Sequence, residues 1–128
     1  MAVKFLSDEW LGEVESRLNS NEAFQNAAKG QSAKLQQVIT GAPDGESKYG
    51  FIIDGGKVSM PKGDIEGAEA TVTQDYDTAV KLSKGELQGQ AAFMQGKLKI
   101  SGNLMKMMQL QGVFTAMPGA MGDLEVEY

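Results

Sequence analysis

The sequence predicts an α+β domain in which about five helices cover a five-stranded, mainly antiparallel sheet. Three observations carry this. The apolar spacing starts with a helical period, changes to strict alternation through the middle of the chain, and returns to a helical period. Pro, Asp and Gly separate the alternating stretches, as turns require. Ser, Asn or Asp stands before several helical stretches and Gly after them. Runs of strands flanked by runs of helices define the α+β class.

The first helix starts after Ser7, an N-cap residue followed by Asp8 and Glu9, which suit the positive end of the helix dipole. Leu6 is placed to act as a hydrophobic staple on Leu11. Leu11, Val14 and Leu18 mark the buried face. Asn19-Ser20-Asn21 closes this helix and caps a shorter one with Phe24, Ala27 and Ala28, which stops at Gly30. Leu35, Gln37 and Ile39 then alternate with Lys34, Gln36, Val38 and Thr40 as a strand. Ala42-Pro43-Asp44-Gly45 is a turn, Tyr49, Phe51 and Ile53 resume the alternation, and Asp54-Gly55-Gly56 predicts a hairpin into Lys57 to Met60. A further strand runs from Ala68 to Gln74, so the four strands are expected to form an antiparallel meander.

Asp75 or Asp77 is the expected cap of a helix with Ala79, Val80 and Leu82 that stops at Gly85. Gly89 to Gln95 is a second short helix, Lys97 to Ser101 a strand, and Gly102-Asn103 caps a last helix from Leu104 to Met117, closed by Pro118-Gly119. The acidic tail, Asp123 to Tyr128, is expected to be poorly ordered. All 128 residues read as one domain.

Composition excludes much chemistry. With no cysteine there is no disulfide, thiolate nucleophile or zinc-thiolate site; with no histidine the usual triad base and commonest metal ligand are missing. Twelve basic against 17 acidic residues leave a net charge of −5, the wrong sign for a nucleic-acid binder. No apolar run is long enough to span a bilayer, and Met1 to Glu9 lacks the apolar stretch of a signal peptide, so a cytoplasmic protein is expected.

The remaining groups offer little catalysis. Neither GxxxxGK[ST] nor a strand-to-helix GxGxxG occurs, and the glycines at 55, 56, 85, 96, 102 and 119 fall at element ends. Glu9 and Glu13, or Glu13 and Arg17, form a solvated helix face. Asp75 and Asp77 suit capping, and Asp64, Glu66 and Glu69 lack calcium-loop spacing. No catalytic residue, metal site or cofactor is predicted. Lys97 and Lys99 project from the strand face opposite Leu98 and Ile100, which reads first as an exposed strand face and, as the sharper alternative, as a local basic spot for an anionic head group.

Methionine is the compositional oddity: of 8, Met105, Met107, Met108, Met117 and Met121 fall near the C-terminus. Leu104, Met105, Met108 and Val113, with Leu110 and Phe114 alongside, are expected to form one broad apolar helix face. A helix so composed packs on a core or, because methionine adapts to changing shapes, walls a pocket.

The segment Gln90-Ala91-Ala92-Phe93-Met94-Gln95-Gly96-Lys97-Leu98-Lys99-Ile100-Ser101-Gly102-Asn103 resembles the signature A-F-x-x-G-K-L-K-I-x-G-N of the sterol carrier protein 2 family. As in that family, a Met/Leu helix follows, and Ala70 to Thr73, Asp75 and the helix after it also fit. The resemblance implies an SCP2-like sheet and helices enclosing a hydrophobic tunnel, and a protein that is not an enzyme. By position, the lining it implies is Phe93, Met94, Leu98, Ile100, Leu104, Met105 and Met108, with Val80 and Leu82 from the preceding helix. The implied cargo is a lipid: sterol, fatty acid, fatty acyl-CoA or isoprenoid.

Peroxisomal members end in a Ser-Lys-Leu-type signal, whereas this sequence ends Leu124-Glu125-Val126-Glu127-Tyr128, so a stand-alone, prokaryotic, cytoplasmic member is expected. Its expected partners are the lipid and, through brief contact, a membrane, with no nucleic acid. The competing reading is a structural or regulatory accessory protein with a vestigial pocket, acting through protein partners.

Overall fold

The computed structural model describes residues 2–43, 45–84, 86–122 and 124–128. The chain runs through β1 (Val3–Lys4), α1 (Asp8–Ser20), α2 (Glu22–Ala28), β2 (Ser32–Ala42), β3 (Gly45–Asp54) and β4 (Lys57–Ser59). It continues through β5 (Ala70–Asp75), α3 (Tyr76–Ser83), α4 (Gly89–Met94), β6 (Lys99–Gly102), α5 (Leu104–Gln109), α6 (Gln111–Met121) and β7 (Val126–Glu127).

Polar side chains set the helix starts. Ser7 Oγ accepts from Trp10 N, Asn21 Oδ1 from Phe24 N, Asp75 Oδ1 from Thr78 N and Asn103 Oδ1 from Lys106 N, each satisfying a donor of the first turn. The expected stop at Gly85 and the turn residue Asp44 lie outside the described residues. Between β3 and β4, Asp54 pairs with Lys57 around Gly55 and Gly56, whose φ values of 59° and 94° are those of a tight hairpin that a side chain would strain.

The five-stranded sheet has the order β4-β3-β2-β5-β6. Three of its pairings are antiparallel, but β5 lies parallel to β2, with Leu35 opposite Ala70 and Ile39 opposite Gln74. The expected meander is therefore wrong at its fourth strand. After β4 the chain crosses to the far side of β2, and Gln36 holds that crossing. Its side-chain amide donates to the carbonyls of Tyr49 and Gly63 and accepts from Ile65 N at 2.8 Å. Alternation alone cannot reveal such a crossover, because parallel and antiparallel strands share the two-residue period.

Leu35, Ile39, Phe51, Ile53 and Val58 face α1, α2 and α6, where Leu18, Phe24, Leu110 and Val113 complete a close-packed core. The edge strand β4 is finished by α1. Asn19 donates to Val58 O at 2.9 Å and accepts from Val58 N at 2.8 Å, while Glu15 accepts from Met60 N, so strand groups that would stay open are satisfied by side chains. Edge-to-face packing of Trp10 against Phe5 and Tyr49 closes the adjoining end.

Two expectations about the C-terminal part are corrected. The predicted last helix divides at Leu110, whose N–H bonds back to Lys106 and Met107 carbonyls, and its second part continues through Pro118 to Met121. This raises the helix count to six among the described residues. The tail is not loose: β7 pairs in parallel with β1, Phe5 N donates to Glu127 O at 2.8 Å, and the Tyr128 ring packs on Phe5 at 5.0 Å between centroids. A two-residue strand is too short to show a period in the sequence.

Candidate functional site

The Gln90–Asn103 segment builds one edge of the sheet. Ala92 is fully buried, and its carbonyl accepts from both Lys97 N and Leu98 N, which turns the chain from α4 into β6. Gly102 lets β6 approach β5: its φ is 103°, and a Cβ there would stand 2.6 Å from Glu69 O and 3.0 Å from Ala70 Cα. Asn103 N then donates to Glu69 O while its side chain caps α5. The most specific residues of the segment thus fix backbone, and the residues between them are free to present side chains.

Those side chains are mostly on the outside. Met94, Met105 and Met108 are 79%, 71% and 74% exposed, and Phe93 and Leu104 about half exposed at 45% and 48%. Leu98, Ile100 and Leu82 are half-buried, and Val80 packs on the core. Ile100 faces Val72 across the β5–β6 ladder. Val72 and Ala92 are buried without belonging to the contiguous core cluster, which ends short of this edge.

The expected single apolar face of the last helix is corrected here. Met107, Leu110, Val113, Phe114 and Met117 turn to the core, whereas Leu104, Met105 and Met108 lie on a different side and are exposed. The α5–α6 segment is apolar all round, so its pattern could not say which side is covered.

One buried polar atom went unmarked by sequence. Gln74 continues the Ala70–Val72 alternation on the core face of β5; its Oε1 is buried and has no hydrogen-bond partner among the described residues. A buried acceptor without a donor costs about 1–3 kcal/mol. The available signal was a glutamine in the apolar phase of a strand. Gln36, also buried, is fully engaged by contrast.

Several charged groups pair with one another. Glu13 pairs with Arg17 at 3.1 Å, and Lys106 with Glu69 at 3.8 Å. The hydrogen bond from Thr78 holds the Asp75 carboxyl below the ordinary carboxylate range, helped by the charge of Lys97. Burial pushes the Tyr49 phenol well above its ordinary value. A groove of about 650 Å³ opens elsewhere, lined by residues that include Phe5, Leu6, Tyr76, Lys48 and Lys62, and none of the predicted lining residues borders it. Of these, Lys48 is tied to Glu46 and Asp64 and Lys62 to Asp8. Among the described residues no three carboxylates gather to hold a metal, and no helix is long and apolar enough to cross a membrane.

The sequence model of the SCP-2 sterol transfer family matches residues 11–115, from α1 into α6. The chain belongs to this family. Sterol carrier protein 2 of Gallus gallus is 36% identical over 101 residues, which are 79% of this chain and 18% of that protein. The chain spans under half the length of the curated relatives it matches. The fold is that of a crystal structure of sterol carrier protein 2, with a TM-score of 0.80 at 17% identity, covering 94% of this chain and 99% of the other. Palmitated SCP2L2 from Aedes aegypti superposes with a TM-score of 0.69 at 19% identity, covering 89% and 95%. Among the described residues, the β6 edge with its flanking helices carries exposed Phe93, Met94, Leu104, Met105 and Met108.

Proposed function

We propose that the protein binds a lipid non-covalently at the β6 edge and transfers or presents it. The observation that carries this is the set of large apolar side chains on α4 and α5 left exposed beside a sheet edge that the core does not reach. Membership of the SCP-2 family supports it, as does the lack of histidine and cysteine for covalent chemistry. The lining of the proposed tunnel draws on Phe93, Met94, Leu98, Ile100, Leu104, Met105 and Met108, with Val80 and Leu82 on α3.

The driving force is transfer of hydrocarbon from water, at most about 0.8 kcal/mol per methylene. A long tail gains on the order of 10 kcal/mol gross, much of it offset by ordering the tail and joining two bodies. Such a force has no direction, so selectivity is by length and shape, and methionines repack around different tails. The one directional contact assigned to the cargo is Gln74 Oε1, which would accept from a hydroxyl or protonated carboxyl at the lipid head.

Native mass spectrometry of gently purified protein is expected to show co-purified lipid. Met108→Glu is expected to abolish uptake of a fluorescent fatty acid while circular dichroism is unchanged. Protein that is repeatedly lipid-free and ignores the probe would defeat the reading and favour an accessory protein acting through protein partners.

A further inference from the structure

Three thioethers stand in solvent beside β6: Met94 on α4, and Met105 and Met108 at a spacing that puts them on one side of α5. The other described methionines are turned away from water. Met60 is buried, and Met107, Met117 and Met121 pack against the core. The sequence has no cysteine, so no thiol competes for an oxidant, and its single tryptophan, Trp10, is buried. Apolar surface alone needs no sulfur: Leu104, beside Met105 and half exposed, supplies it without the reactivity.

We propose that Met94, Met105 and Met108 form a modification site, where a peroxide converts the thioethers to sulfoxides and so lowers the affinity for lipid. The effect on affinity rests on the cargo reading above; the site itself does not. Oxidation of a thioether follows its access to the oxidant, which separates these three from the methionines of the core. The sulfur attacks one oxygen of hydrogen peroxide, an S–O bond forms as the O–O bond breaks, and sulfur gives up two electrons. The proton of the transferred hydroxyl passes to the departing one, which leaves as water.

Exposure decides the consequence. In the empty protein the sulfoxide oxygens stay in water, so the fold is not penalised. A lipid tail laid over them strips that water and offers no donor, and a polar group desolvated without a partner weakens binding roughly tenfold. Oxidation of a core methionine would instead cost the fold, with or without lipid. Methionine sulfoxide reductases, one for each epimer, remove the oxygen as water at the expense of two thiols, which makes the change reversible.

The test exposes the full chain to dilute hydrogen peroxide, maps the oxidised residues by peptide mass spectrometry and titrates each sample with a fluorescent fatty acid. Met94, Met105 and Met108 are expected to oxidise before Met60, Met107 and Met121. The urea midpoint should not move, and uptake of the probe should weaken roughly tenfold or more. Treatment with both reductases should restore it. Met94→Leu with Met105→Leu and Met108→Leu should bind the probe as wild type does and keep that affinity after peroxide.

Equal loss of uptake in this variant and in wild type overturns the proposal. So does wild type that is oxidised at all three positions and binds the probe undiminished. Oxidation of Met60 or Met107 as early as Met105, with a falling urea midpoint, overturns it in favour of general damage to the fold. Failure of the cargo reading appears separately, as untreated wild type that takes up no probe; the order of oxidation then decides the modification site by itself.

Discussion

The two edges of the same sheet are finished in opposite ways. At the β4 edge, Asn19 and Glu15 of a long helix satisfy the strand's backbone, Val58 is fully buried, and the core runs up to the margin. At the β6 edge the flanking helices are six residues each, Ile100 is half-buried, and methionines stand in solvent. One edge spends its side chains on stability. The other has its backbone fixed with equal care, through Ala92, Gly102 and Asn103, but leaves its apolar surface unsatisfied. A chain optimised only for stability would not keep such surface open.

The largest expected contrast is in truncation. Phe24→Ala removes a fully buried ring of α2 from the core cluster and should cost about 3–5 kcal/mol in urea denaturation. Met105→Ala at the β6 edge should stay within about 0.5 kcal/mol. Comparable losses at both sites would erase the distinction between the edges. A sharper test is Gly102→Ala. Its Cβ would meet backbone atoms of Glu69 and Ala70 in a conformation that L residues rarely adopt, so about 2–3 kcal/mol should be lost. A neutral result would mean that β6 is free to move from β5.

At the junction of the two regions, Asp75→Ala removes the α3 cap and should cost about 1 kcal/mol near neutral pH. The Asp75 carboxyl is depressed in the folded state by its hydrogen bonds from Thr78. Its contribution is therefore complete above the unfolded carboxylate value of about 3.9 and fades as pH falls through the lower folded value. The gap between wild type and Asp75→Ala in denaturation midpoints should close on acidification. A gap that persists well below that range would mean that the cap does not depend on charge.

How much of this was legible in the sequence follows the same division. Caps at Ser7, Asn21 and Asn103 and the Asp54-Gly55-Gly56 hairpin act within a few residues and are legible in local chemistry, which also narrows the α3 cap to Asp75 or Asp77, of which Asp75 holds it. The parallel placement of β5 depends on Gln36 reaching Gly63 and Ile65, a contact across many residues that no local period encodes. At the candidate site, the order of short helix, strand and helix in α4, β6 and α5 was legible, but the Met/Leu helix could not reveal that Met107 and Leu110 turn inward while Met105 and Met108 turn outward. With apolar residues on every side, the helical period has no phase to read.

Gln74 gives the smallest expected effect and the one whose sign is most informative. Its amide oxygen sits in the apolar phase of β5, buried and without a donor, between the region that is packed and the region that is not. In the empty protein that atom is a cost, so Gln74→Leu, which removes it with little change in volume, should leave stability unchanged or raise it by about 1 kcal/mol. If the atom receives the head of a cargo lipid, the same change should weaken binding of a long-chain alcohol by about 1 kcal/mol, roughly fivefold. Binding of an alkane of equal length should not change, because the hydrocarbon wall is untouched. Fluorescence displacement titrations with the two ligands separate these terms. A variant that is less stable and binds both ligands as before would show Gln74 to be a packing residue with a structural partner, and would move the polar end of the site elsewhere.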